Sequence, residues 1–109
     1  MARTVRWTET AIEDLDEATG FIARDSRYYA AAFVREVRGA ARSLDFSPER
    51  GRVVPEVDRT DIREIFVKSH RLIYQVTNRQ VFILAFIHGA RNLAFLWERR
   101  ADDYRKTNH

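Results

Sequence analysis

The chain contains no cysteine in its 109 residues. That excludes a disulfide framework and thiolate metal ligation, and it suits a reducing compartment. It has no run of about 18 apolar residues, and its start, MARTVRWTETAIEDLDE, carries no apolar stretch of signal-peptide length. A soluble, cytoplasmic protein is expected. Histidine is scarce: His70, His88 and His109 show no ligand spacing, so neither a metal nor another cofactor is expected. Only two prolines and four glycines occur, and Pro48, Gly51 and Pro55 all fall within DFSPERGRVVPEV, which therefore reads as the one extended loop. Lysine is rare too, because 17 of the 19 basic residues are arginine. The simplest source of so uniform a bias is codon usage in a GC-rich genome. It singles out no site, although the guanidinium fork does suit phosphate and carboxylate.

What is present describes one domain, residues 1–109, since a single core rarely divides at this length. Hydrophobic residues make up 45% and charged residues 32%, interspersed, so a core is affordable and disorder is not implied. Net charge is +3, and all of the excess lies in the second half: residues 51–109 carry 11 basic and 7 acidic residues (+4), against 8 and 9 (−1) before them. A mildly basic second half suits an anionic partner, either nucleic acid or an acidic protein segment.

Val5-Arg6-Trp7 can form a short strand, followed by a helix capped by Thr8 or Thr10, the latter with Glu13 at capping-box spacing. Ala11, Leu15, Ala18 and Ile22 recur at helical spacing opposite Glu13, Asp14, Asp16 and Glu17, and Asp25-Ser26 should end the helix. A second helix from about Tyr28 to Leu44 would bury Tyr29, Phe33, Val37, Ala40, Ala41 and Leu44, leaving Arg35, Arg38 and Arg42 to solvent. Strands are expected at Ile62–Val67, Leu72–Val76 and Val81–Ile87, the last two joined by a tight turn at Thr77–Gln80. The all-apolar run 81–87 should be central. Asn92 can cap a last helix, an extension over 93–109, with Leu93, Trp97 and Tyr104 on one side and Glu98, Arg99 and Asp102 on the other. The order β-α-α-β-β-β-α indicates an α+β fold with an antiparallel helix pair on a mostly antiparallel sheet.

The apolar strand 81–87 ends abruptly on His88, Gly89 and Arg91. If one sheet face packs on the helices, Arg63, Arg71, His88 and Arg91 could project onto the other or its rim. A histidine among cations could serve phosphodiester cleavage, the imidazole moving the proton and arginines stabilising the added negative charge. The plainer readings are that strand-end arginines are solvated or ion-paired, that His88 is a structural residue, and that Gly89 supplies a conformation other residues resist.

Three phrases, in order over residues 5–93, resemble the RelE/ParE superfamily of type II toxin–antitoxin (plasmid stabilisation) toxins. VRWTETAIEDLDEATGFIARDS resembles the strand-then-helix start, SPERGRVVPEVDRTDIREIFV the Pro…Gly-Arg…Pro-Glu loop, and HRLIYQVTNRQVFILAFIHGARN the arginine-led strand, hairpin and final strand. The resemblance implies the matching fold and a small cognate antitoxin whose C-terminal segment covers apolar grooves and basic surface. Two activities follow from its two branches. ParE-like members inhibit DNA gyrase, and the HGARN ending and GRVVPE…REI run look more like that branch. Arg63, Arg71, His88, Arg91 and Trp97 would then belong to the target- or antitoxin-binding surface. RelE-like members are ribosome-dependent mRNA interferases, and Arg63, Arg71, His88 and Arg91 would then be catalytic. Against this, the segment VPEVDRTDI is acidic where some nucleases carry a lysine pair, and no tyrosine closely follows the last strand. A non-toxic binding homologue is the third possibility.

Overall fold

Thr8 decides where the first helix begins. Its hydroxyl accepts from the Ala11 N–H at 3.2 Å and donates to the Ile83 carbonyl at 2.9 Å, so one side chain caps the helix and ties it to the sheet. In this computed structural model, which describes the backbone of residues 2–107 and the side chains of 2–100, strand β1 (Thr4–Trp7) leads into α1 (Glu9–Ala23) and α2 (Arg27–Arg42). Ser26 caps α2 in the same way, accepting from the Tyr29 N–H. A 3-10 turn (Pro48–Arg50) and a two-residue strand β2 (Arg52–Val53) precede β3 (Ile62–Val67), β4 (His70–Val76) and β5 (Gln80–His88), and α3 (Leu93–Thr107) closes the chain. Asn92 caps α3, its side-chain oxygen accepting from the Phe95 N–H.

The sheet is mixed, in the order β1-β5-β4-β3-β2: β1 runs parallel to β5, and every other pairing is antiparallel. The apolar strand β5 is interior, as expected, but the central place belongs to β4. In the β4–β5 ladder Ile73 opposes Ala85 and Tyr74 opposes Ile83, leaving Leu84 as an extra residue. This bulge reverses the alternation of β5. Val81, Ile83 and Phe86 face the helix pair with Leu15, Phe33, Val37 and Leu44, while Leu84, Ala85 and Ile87 join Ile62, Ile73, Leu93 and Leu96 on the other side. Along β5 the second sheet face is thus covered by α3 and is not an open concave surface, while Phe66 on β3 stays exposed on that face. Burying each such aliphatic side chain stabilises the fold by about 1.5–3 kcal/mol.

Two expected burial positions change. Tyr29 is exposed, and Ala30 takes its place in the α2 stripe. Asp14, expected on the solvent side of α1, is buried. β1 ends at Trp7, opposite Ile83, so the Phe86 N–H farther along β5 would lack a strand partner. Asp14 accepts it at 3.0 Å and is held in turn by both terminal nitrogens of Arg100 on α3, at 2.8 and 2.9 Å. One carboxylate therefore joins α1, β5 and α3. Trp97 packs on the second core; the side chains of Tyr104 and Asp102, and His109 altogether, lie outside the described residues. Among the described residues no helix is long and apolar enough to cross a membrane, and no group of three or more His, Asp or Glu could hold a metal ion.

Candidate functional site

Strand register separates the cations that the sequence reading gathers. Phe66 opposes Arg71 and Arg63 opposes Tyr74, so Arg71 lies on the α3 side of the sheet and Arg63 on the helix-pair side. Each sits in its own setting.

On the α3 side, Glu64 is fully buried and accepts from Nε of Arg71 at 2.5 Å and Nε of Arg52 at 2.6 Å. Arg71 turns its two terminal nitrogens to Glu56, a bidentate pair with both distances 2.9 Å. Glu56 sits in the turn after Val54, two residues before Asp58, which adopts a left-handed backbone (φ 54). The hydrogen bonds from Arg71 hold the Glu56 carboxyl below the usual carboxylate range, and the same bonds, with those to Glu64, raise the guanidinium of Arg71 above its own. Two arginines and two carboxylates cancel, so Arg71 is buried and fully partnered. The sequence reading missed Glu56 and Glu64. Glu64 is visible only as an acidic residue inside an apolar strand, a signal that needs the register to be read.

On the helix-pair side, Arg63 donates to the Gly51 carbonyl at 2.9 Å. Beside it, the buried Tyr74 hydroxyl donates to the Pro48 carbonyl at 2.7 Å and accepts from the Gly51 N–H at 3.0 Å. Burial raises its phenol above the ordinary tyrosine range and keeps it a donor. This cluster fastens the Pro48–Val53 segment to the sheet.

His88 shares the helix-pair side, but at the far end of the strands, level with Val67 and four residues from Arg63's level; that is about 13 Å along the strand. Its neighbours are His70 and Arg91. His70 opposes His88 in the ladder, with rings edge to face at 5.4 Å; it stacks on Phe86 at 4.7 Å and meets the edge of Phe33 at 5.7 Å. His88 Nδ1 accepts from the Ala90 N–H, and the Arg91 N–H donates to the His88 carbonyl, so the turn after β5 is closed by its own histidine. Gly89 has no left-handed backbone; its need is space, since a Cβ there would lie 3.3 Å from the Ser69 carbonyl oxygen.

These residues open onto a cavity of about 660 Å³ between α1, α2 and the β4/β5 end of the sheet. Ala18, Phe21, Ile22, Phe33 and Phe86 supply apolar wall; Arg24, Lys68, His88 and Arg91 supply cations. Sequence reasoning singled out His88 and Arg91 but neither His70 nor the α1 residues, because only the fold brings Arg24 and Arg91 to one cavity. Of the five singled-out residues the structure thus unites His88 and Arg91, and leaves Arg63, Arg71 and Trp97 elsewhere.

Burial, and then the charge of neighbouring His88, hold the His70 imidazole below the ordinary histidine range. The unfolded chain then binds a proton near pH 6.5 that the folded chain does not. Stability must therefore fall as pH drops through that value. We expect the urea midpoint to decrease from about pH 7.5 to about pH 5.5, and to decrease less in His70→Gln; equal declines would contradict this.

A family model, "ParE toxin of type II toxin-antitoxin system, parDE", matches residues 5–93. Comparison with curated protein sequences finds no match. Among solved structures, the chromosomal ParDE toxin–antitoxin system from P. aeruginosa is similar at 17% identity and TM-score 0.66, over 80% of this chain and 96% of that one. The RelBE2 toxin–antitoxin complex from Mycobacterium tuberculosis is 25% identical with TM-score 0.53, over 81% and 99%. A free double-arginine mutant of the E. coli toxin RelE is 18% identical with TM-score 0.61, over 88% and 93%. With β1 through the start of α3 matched by the model, this chain belongs to the ParE toxin family of type II toxin–antitoxin systems.

Proposed function

We propose that this toxin acts as a ParE-like inhibitor of DNA gyrase, by binding its target and not by cutting RNA, and that a cognate antitoxin neutralises it in the cytoplasm. The observation that carries the reading is the state of Arg71. A nuclease needs its cations free to stabilise charge that develops on the scissile phosphate. Arg71 is held by Glu64 and Glu56, Arg63 points to the other side of the sheet, and His88 lies at the far end of that side. The match to a ParE model, and not only to the superfamily, supports the same branch. An antitoxin partner is supported by the neighbours, whose names describe toxin–antitoxin systems and complexes.

The test is primer extension on messages in a translating bacterial extract. With the toxin added, no new 5′ ends are expected within codons at the ribosomal A site. Codon-phased cuts that vanish in Arg71→Ala and His88→Ala would overturn the proposal in favour of the mRNA interferase.

A further inference from the structure

The end of the sheet opposite His88 carries cations that neither the core nor the cavity uses. Three segments meet there. The Arg3 N–H donates to the Asp45 carbonyl at 2.9 Å, and the Thr4 N–H to the Arg79 carbonyl at 3.0 Å. The start of β1 is thus flanked by the loop after α2 and by the β4–β5 turn. Arg42, Arg50 and Arg79 are exposed, and Arg38 lies one turn before Arg42 on the same face of α2. None of these, nor Arg3, forms an ion pair with a described residue. Arg3 Nε donates to the Thr77 carbonyl and Arg50 Nη1 to the Ser43 hydroxyl, neutral partners that leave both charges uncompensated. Carboxylates on these segments are few: Asp45 accepts the Phe46 N–H, Asp61 is paired with Arg59, and Glu49 is left. In the same loop Phe46 is 76% exposed, more than any other large hydrophobic side chain among the described residues. Its backbone is pinned on both sides, by Arg3 at the Asp45 carbonyl and by the Tyr74 hydroxyl at the Pro48 carbonyl. The ring is therefore presented by a fixed loop.

We infer that this end of the toxin is a contact surface for duplex DNA, its arginines neutralising backbone phosphates beside the minor groove while Phe46 enters the groove and wedges between bases. The choice of DNA rests on the gyrase reading above, because gyrase acts on DNA, and a toxin bound there has the duplex within reach. Guanidinium forks pair with phosphate oxygens, and an apolar wedge flanked by arginine is how many proteins grip and kink the minor groove. A protein partner fits less well. Protein interfaces are built around an apolar, recessed centre, whereas Leu44 and Pro48 are buried here and a single ring protrudes among cations. An anionic membrane surface would also attract the arginines, but membrane-lying segments need a broad apolar face, which one phenylalanine does not supply. Helix-dipole compensation accounts for Arg42 in the last turn of α2. It does not account for Arg79, which lies in the hairpin turn with no side-chain partner among the described residues.

The probe is a fluorescent DNA duplex of about 20 base pairs, titrated with the full-length toxin and followed by anisotropy. With about four phosphates neutralised, affinity should fall roughly 100-fold between about 50 and 200 mM salt. Arg42→Ala and Arg79→Ala should each lower the salt slope by about 1. Phe46→Ala should weaken binding roughly tenfold and leave the slope unchanged, since it removes stacking and no charge. Arg24→Ala, at the cavity end, should change neither. All four side chains are exposed, so urea midpoints should match the parent. An RNA duplex of the same sequence should bind more weakly, because its minor groove is wide and shallow. No binding at the lower salt, binding indifferent to Arg42, Arg79 or Phe46, equal binding of the RNA duplex, or displacement of DNA by phosphatidylglycerol vesicles would each overturn the assignment. Supercoiling assays with the same proteins separate the two claims. Gyrase inhibited by a toxin that binds no DNA sinks only this surface, and DNA bound by a toxin that leaves gyrase untouched sinks only the gyrase reading.

Discussion

Alanine at position 51 is expected to destabilise the protein by about 3–5 kcal/mol, combining overpacking with the loss of buried hydrogen bonds. Gly51 is buried where the 3-10 turn enters β2, with an ordinary extended backbone (φ −83), so the requirement is steric. A Cβ there would collide with the Tyr74 hydroxyl and lie 2.5 Å from the Glu64 carbonyl oxygen. The hydroxyl could give way only by abandoning the Pro48 carbonyl and the Gly51 N–H, and the carbonyl only by moving β3. Tyr74→Phe alone should cost about 1–3 kcal/mol through two unsatisfied buried groups. The double variant should cost less than the sum, because phenylalanine removes one of the two collisions. Urea denaturation of the four proteins measures this. A Gly51→Ala protein of parental stability would mean that the Pro48–Val53 segment is not fastened to the sheet as described.

Glu64→Ala is expected to cost about 3 kcal/mol, the low end for breaking a buried ion pair. It leaves Arg71 buried with a single carboxylate, Glu56, and frees Arg52 to solvent. Glu56→Ala should cost less, because that carboxylate is 35% exposed and Arg71 keeps Glu64. Replacing both core partners, Arg71→Met with Glu64→Leu, should cost less than either single change, since paired buried charges exchanged for apolar groups of similar size are often neutral. Thermal unfolding of the set reads the order directly, at roughly 4–8 °C per kcal/mol for a domain near this size. A double variant worse than both singles would show that the network does more than neutralise itself.

Much of the fold is legible in the residues themselves. Ser26 and Asn92 sit where caps are needed, the α1 stripe Ala11–Leu15–Ala18–Ile22 packs as its spacing requires, and Ile62–Val67 is a strand at both of its expected ends. The site is less legible, and the reasons are particular. Alternation along each strand already places Arg63 with Ile65 and Val67, and Arg71 with Ile73 and Gln75, but which set meets the helices depends on pairing between strands. The bulge at Leu84 then shifts His88 onto the face of Val81 and Ile83, which simple alternation would deny. Asp14 reads as one more acidic residue on a polar helix face, and only the shortness of β1 reveals that Phe86 needs an acceptor. Arg24 and Arg91 are 67 positions apart in sequence, and no local pattern could place them on one rim.

The proposed inhibition of gyrase is tested most directly by supercoiling relaxed plasmid with purified gyrase, with and without the toxin, and scoring linear cleavage product. Loss of supercoiling or accumulation of linear DNA is expected, undiminished by His88→Ala. Unaffected gyrase, with a protein that still arrests growth, would contradict the reading and move the target to the ribosome.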